Sequence, residues 1–110
     1  MKQTVTVSIP VYNGEKFVLQ ALKSVIDQTI KVDELIICDN CSSDKTIQLI
    51  KDFQSAHKDH KIKLILNEVN IGFQNNFIKC YYSAKTDFLV ILHVDDILKQ
   101  NDFVEQFNFF

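Results

Sequence analysis

The sequence predicts an α/β fold with a mostly parallel sheet, and three observations carry that prediction. Short apolar runs alternate with amphipathic segments from one end of the chain to the other. Each apolar run ends in a polar cluster: Pro10 to Gly14, Asp39 to Asp44, Asn67 to Gly72 and His93 to Asp96. The last run, Ile91-Leu92-His93-Val94, stops at an adjacent carboxylate pair, Asp95-Asp96.

Thr4 to Ile9 alternates, with Val5, Val7 and Ile9 on one face and Thr and Ser on the other, which is a strand pattern. Pro10 and the Asn13-Gly14 pair are expected to stop it and open a loop. Glu15 to Asp27 sets Phe17, Val18, Ala21, Leu22, Val25 and Ile26 on one side of a helix. Leu35 to Cys38 reads as a short buried strand. Ser42 or Ser43 is the expected N-cap of the next helix, with Asp44 at its positive end. That helix turns Ile47, Ile50 and Phe53 inward, and His57 to Lys61 reads as a solvated bend. Ile62 to Leu66 alternates as a third strand. After the loop Asn67 to Gly72, a helix is expected to bury Phe73, Phe77, Tyr81 and Ala84. Phe88 to Leu92 is continuously apolar, the pattern of a strand covered on both faces. A final amphipathic segment carries Phe103, Val104, Phe107 and Phe110 on one side. The order β-α-β-α-β-α-β-α, with right-handed crossovers, describes one small domain with no internal repeat.

Composition narrows the function. Twelve basic residues against 14 acidic ones give a net charge of -2, without the basic excess that nucleic-acid binding needs. No apolar stretch approaches the ~20 residues of a membrane span, and the alternating N-terminus does not resemble a signal peptide. Three Cys is an odd count, which suits reduced thiols in a cytosolic setting. Cys38-x-x-Cys41 with His57 and His60 falls outside the usual zinc-finger spacing, and Cys80 reads as a packing residue.

In open α/β sheets, ligands bind beyond the carboxyl ends of the strands, where this chain puts its Asn, Asp and Ser. Neither GxGxxG nor GxxxxGK[ST] follows the first strand, so a dinucleotide or P-loop site is not expected. Adjacent carboxylates repel, and Asp95-Asp96 suits a divalent cation set against an anionic ligand.

Four segments together resemble the nucleotide-sugar-binding half of a family 2 glycosyltransferase. Val7-Ser8-Ile9-Pro10-Val11-Tyr12-Asn13 resembles the family's opening strand and its Pro-x-Tyr-Asn turn. Ser24-Val25-Ile26-Asp27-Gln28-Thr29 is similar to a Ser-x-x-x-Gln-Thr helix end. Glu34 to Thr46 resembles a strand with an Asp-x-x-Ser-x-Asp-x-Thr turn. Asn70-Ile71-Gly72-Phe73, then Asn76, leads to the strand bearing the Asp-x-Asp motif, here His93-Val94-Asp95.

The resemblance implies the GT-A fold, a Rossmann-like three-layer α/β/α arrangement truncated after about the fourth strand. It implies a nucleotide-diphospho-sugar donor, held by Pro10, Tyr12, Asn13, Asp39, Asn70, Gly72, Asn76, His93 and Asp95. Tyr12 and Asn13 lie where the family contacts base and ribose, and Asp39 where it meets the base edge. Asp95, with Asp96, would hold Mn²⁺ or Mg²⁺ on the diphosphate. An acceptor hydroxyl, on a glycan or a lipid-linked carrier, would then displace the nucleoside diphosphate with inversion. The setting it implies is cell-envelope or exopolysaccharide synthesis, in the cytosol near the inner face of the membrane, with peripheral membrane contact at most.

The sequence departs from the family pattern in three ways. His93 replaces the first acid of the Asp-x-Asp motif, and Asn75 stands beside Asn76 where many relatives carry an Arg. Family members also continue for roughly another hundred residues, a size ordinary for α/β domains. That second half supplies the acceptor site and the general base, so no catalytic residue is assigned here. The expectation is a partial glycosyltransferase domain over residues 1–110, binding donor weakly and turning over poorly alone. The alternatives are a truncated non-catalytic remnant and a nucleotidyltransferase-like domain, which would want a glycine- and lysine-rich loop after the first strand. A receiver-like module would need acids at the end of that strand, where Val5 to Pro10 has none.

Overall fold

The computed structural model describes residues 3–29 and 31–95. Seven elements follow in order: strand β1 (Val5–Val11), helix α1 (Val18–Ile26), β2 (Glu34–Asp39), α2 (Thr46–Ala56), β3 (Ile62–Leu66), α3 (Phe73–Ser83) and β4 (Phe88–Ile91). Among the described residues the strands form one parallel sheet in the order β3-β2-β1-β4. The expected final amphipathic segment and Asp96 lie outside the described residues.

β1 holds the centre because it can be buried on both faces. Val7, Ile9 and Val11 join Leu35 and Ile37 of β2 against Ala21, Leu22 and Val25 of α1 and Ile50 and Phe53 of α2. Fully burying each of the Val, Leu, Ile and Phe side chains contributes about 1.5–3 kcal/mol. The opposite face is narrower, with Ile36 and Cys38 packing on Cys80 of α3. Thr6 and Ser8 are also fully buried. The Thr6 hydroxyl pairs with that of Thr86 at 2.7 Å, whereas the Ser8 hydroxyl has no partner among the described residues.

The chain turns at the switch in strand order between β1 and β4, and Pro10 makes that switch open. β4 bonds to β1 through Phe88 N–H to Thr4 C=O and Leu92 N–H to Ser8 C=O, both at 3.0 Å. The next rung would need an N–H from Pro10, which has none. The ladder to β4 ends there. On its other side β1 continues to Val11, whose carbonyl accepts from Asn40 N–H at 2.9 Å. Pro10 was expected to end the strand and instead ends only one of its two ladders.

Other boundaries also move. α1 begins at Val18 rather than Glu15, because Phe17 and Val18 N–H both turn back to Gly14 C=O, leaving Phe17 45% exposed. Ser42 and Ser43 do not cap α2. Asp44 does, accepting from Thr46 N–H at 2.9 Å. Ile47 is only half-buried. In the expected solvated bend, His57 stacks on Phe53 with ring centroids 4.0 Å apart. β4 is half-buried along its length, because it forms the sheet's edge among the described residues.

The largest correction is α3. Its inward residues are Asn76 and Cys80, while Phe73 is 65% and Tyr81 56% exposed. Asn76 and Cys80 each precede one of the expected core residues, so the helix is rotated by about 100° from the aromatic stripe. The surface beneath explains the choice. It offers Ile36 and Cys38 to the small side chain of Cys80, and the Cys38 carbonyl, to which Asn76 Nδ2 donates at 2.9 Å.

Candidate functional site

A cleft of about 660 Å³ opens where β1 and β4 part, at the carboxyl edge of the sheet. Three segments line it: Pro10 to Gly14 with Phe17; Asn70, Gly72 and Phe73 with Asn40 and Asn76; and His93 to Asp95. Pro10, Tyr12, Asn13, Asn70, Gly72, Asn76, His93 and Asp95, widely spaced in the sequence, are thereby brought together.

The first wall is a fastened loop. Asn13 takes a left-handed conformation, with φ 48°. Its side-chain oxygen accepts from Ser43 N–H at 2.8 Å and Asp44 N–H at 3.4 Å, and its own N–H donates to Ser42 Oγ at 2.9 Å. Gly14 N–H donates to Thr46 Oγ1 at 2.8 Å. With the loop pinned from below, Tyr12 stands 51% exposed over the cleft.

Asp39 lies behind that wall and outside the cleft lining. It is fully buried, and its carboxylate accepts from Ser42 N–H at 2.9 Å and Ser42 Oγ at 2.6 Å. Ser42 in turn holds Asn13, so Asp39 organises the loop carrying Tyr12 and Asn13.

The second wall is built from amides. Asn40 is 3% exposed and Asn67 7%. Asn40 Oδ1 accepts from Ile71 N–H at 2.9 Å and Asn67 Nδ2 at 3.1 Å, and Asn40 Nδ2 donates to Asn70 Oδ1 at 2.9 Å. Gly72, at φ 87°, ends this loop and starts α3. The N-cap residue of α3, Gly72, makes no side-chain cap hydrogen bond, and it lines the cleft with Phe73. Sequence reasoning missed Asn40, Asn67 and Phe17. Asn40 adjoins Asp39 at a strand end, which is the one signal that pointed to it.

Across the opening stand His93 and Asp95, both exposed. The His93 ring stacks against Phe73 and Phe77, with centroids 6.2 and 6.4 Å apart. A second hollow of about 600 Å³ continues past these rings toward Gln74 and Ile78. Asp95 is the one carboxylate lining the cleft among the described residues. No group of three metal-ligating side chains occurs among them either. A single carboxylate suits a hard cation whose remaining ligands are phosphate and water oxygens, the usual arrangement for Mg²⁺.

The cysteines lie apart from this chemistry. Cys38 and Cys80 are buried against each other, and hydrogen bonding to Cys38, together with burial, pushes the Cys80 thiol up. Cys41, at φ 64°, is exposed.

The profile of glycosyl transferase family 2 matches residues 6–110. The chain belongs to this family. Among its relatives is a putative glycosyltransferase, EpsE, of Bacillus subtilis, 32% identical over 93 residues, covering 84% of this chain and 33% of the relative. A putative teichuronic acid biosynthesis glycosyltransferase, TuaG, of the same organism is 29% identical, covering 98% of this chain and 42% of the relative. The chain thus spans about a third to two-fifths of the length of these curated relatives. Among solved structures, S. aureus TarS in complex with UDP superposes with a TM-score of 0.84 at 23% identity, over 96% of this chain and 31% of that one. A mannosyltransferase from Pyrobaculum calidifontis, in complex with GDP-Man and Mn²⁺, gives 0.85 at 22% identity, over 94% of this chain and 31% of that one. These likenesses show the GT-A glycosyltransferase fold, as expected from the sequence. No helix among the described residues is long and apolar enough to cross a membrane.

Proposed function

We propose that this chain is the donor-binding part of a family 2 glycosyltransferase, taking a nucleotide-diphospho-sugar together with Mn²⁺ or Mg²⁺. The observation that carries the reading is the cleft at the β1/β4 switch, with Tyr12 and Asn13 on one wall and Asp95 across from them. Tyr12 offers a ring face to a base, and Asn13 a side-chain amide to the ribose. Asp39 acts through Ser42, holding that loop in register. Asn70, Gly72 and Asn76 form the facing wall, and His93 and Asp95 close the phosphate side. Asp95, with Asp96 beyond the described residues, would hold the cation, which when bound offsets charge on the departing nucleoside diphosphate. His93 brings hydrogen-bonding capacity to the first motif position, with its ring already engaged by Phe73 and Phe77.

The TarS structure with UDP and the mannosyltransferase structure with GDP-Man and Mn²⁺ support this choice of ligand. The teichuronic acid enzyme supports a role in assembling a cell-envelope polysaccharide; the acceptor of this reading is a glycan or a lipid-linked carrier, met at the inner face of the membrane. Sugar transfer itself belongs to the whole enzyme, whose general base is expected outside the donor-binding half.

The test is a thermal-shift titration of the chain with UDP and GDP, each with and without Mn²⁺. A metal-dependent rise in melting temperature with one nucleotide is expected, and Asp95→Ala should remove its metal dependence. A folded chain that shifts with neither nucleotide would refute the reading.

A further inference from the structure

A chain of hydrogen bonds runs from a lysine outside the cleft to an asparagine on its wall, and every amide in it has a defined direction. Lys79 Nζ, which can only donate, gives a hydrogen bond to Asn67 Oδ1 at 2.6 Å. Asn67 Nδ2 is thereby turned away, and donates to Asn40 Oδ1 at 3.1 Å and Asn76 Oδ1 at 2.9 Å. Asn40 Nδ2 donates onward to Asn70 Oδ1 at 2.9 Å. Backbone donors agree with this direction at two links: Ile71 N–H reaches Asn40 Oδ1 at 2.9 Å and Gly72 N–H reaches Asn70 Oδ1 at 2.8 Å. Asn76 Nδ2 is committed to the Cys38 carbonyl. With its oxygen engaged twice, Asn70 keeps its Nδ2 end for the cleft that it lines.

We infer that Lys79 is a positioning residue for the donor site, acting through Asn67 and Asn40 to hold Asn70 with its NH₂ end toward the cleft. The cleft wall then presents a hydrogen-bond donor, matched to an acceptor oxygen of the nucleoside diphosphate. This inference rests on the donor-binding reading above. A cation at the head of the chain favours this polarity, because each amide dipole points its oxygen back toward the ammonium. An acceptor in place of Lys79 would face Asn67 Oδ1 with no proton between them. Turning the Asn67 amide to relieve that contact would set its oxygen against Asn40 Oδ1 and Asn76 Oδ1. Lys79 is the protein donor that meets Asn67 Oδ1, and an acceptor at position 79 leaves that oxygen opposed at the head of the relay.

The experiment measures affinity for UDP and GDP with Mn²⁺ in the wild-type chain, Lys79→Arg, Lys79→Glu and Asn70→Asp, with melting temperature and side-chain amide NMR signals alongside. Lys79→Arg keeps the donor and should bind like the wild type. Lys79→Glu should bind about tenfold more weakly, the scale of one lost hydrogen bond to a charged ligand. Asn70→Asp, altered only at the exposed end, should show a similar loss with its melting temperature kept. The side-chain NH₂ signals of Asn40, Asn67 and Asn70 should move in Lys79→Glu and not in Lys79→Arg. Wild-type affinity in a folded Lys79→Glu chain, or in Asn70→Asp, would overturn the inference. If Lys79→Glu does not fold, Lys79→Met, which also lacks the donor, takes its place with the same expected loss of affinity and the same moved amide signals. A wild-type chain that binds neither nucleotide refutes the donor-binding reading instead. Unmoved amide signals in Lys79→Glu would overturn the relay whether or not nucleotide binds.

Discussion

The backbone N–H of Gly14 donates to the buried hydroxyl of Thr46 at 2.8 Å, joining the loop after β1 to the first residue of α2 across 32 positions of sequence. Thr46 Oγ1 in turn donates a hydrogen bond to Asp44 Oδ1. One carboxylate therefore caps a helix and, through a hydroxyl, fixes the loop that carries Tyr12 and Asn13.

That carboxylate gives the fold an acid-sensitive joint. Burial raises the Asp44 carboxyl, but hydrogen bonds from Thr46 and the Glu15 N–H lower it further, to a net value below its ordinary 3.8. A folded value below the unfolded one adds stability that is complete above the unfolded value and disappears as pH falls through the folded one. Urea midpoints measured from neutral pH down to about pH 3 should fall less steeply in Asp44→Asn than in the wild type. Asp44→Ala should cost about 1 kcal/mol at neutral pH, the usual loss for a helix cap.

Gly14 is a steric requirement. A Cβ there would lie 2.7 Å from Val11 Cγ2 and 3.1 Å from Val94 Cγ2. Valine side chains have little χ1 freedom to retreat. Gly14→Ala should lower stability by about 1–3 kcal/mol, as overpacking does elsewhere. A chemical-denaturation midpoint equal to the wild type's would show that the β1 loop and the Val94 segment move apart freely.

Ser8 offers a change in the other direction. Its hydroxyl is fully buried without a partner among the described residues. Ser8→Ala removes that desolvated group and should stabilise the chain by roughly 1 kcal/mol. A lower melting temperature in Ser8→Ala would mean that the hydroxyl has a role in packing α3 on the sheet.

Pro10 can be tested by giving back what it lacks. Pro10→Ala supplies an N–H able to reach the Leu92 carbonyl and extend the β1/β4 ladder by one rung. The melting temperature should hold or rise while nucleotide affinity drops, because the extra rung draws the cleft walls together. Unchanged affinity alongside a higher melting temperature would separate the ladder's end from the site.

The sheet was legible because its strands carry a period-two alternation, of Val and Ile at β1 and of Ile and Leu at β3, and a compact apolar run at β2. Most of the cleft was legible too, since its residues sit at strand ends in recognisable clusters. α3 misled because its aromatic stripe is the more hydrophobic face, yet the sheet beneath accepts only Asn76 and Cys80. Pattern cannot show what the opposing surface admits. The asparagine relay was hidden for a different reason. Asn67 meets partners 27 and 9 residues away, and nothing in the spacing of four asparagines says which of their ends will face one another.

The burial of two of the three thiols leaves the chain with a single reactive handle. Cys38 and Cys80 are shut away between β2 and α3, while Cys41 stands exposed and directly follows Asn40, a residue of the cleft lining. A maleimide fluorophore added to the folded protein should therefore attach at one place, without cysteine engineering, and its emission should respond when the neighbouring cleft fills.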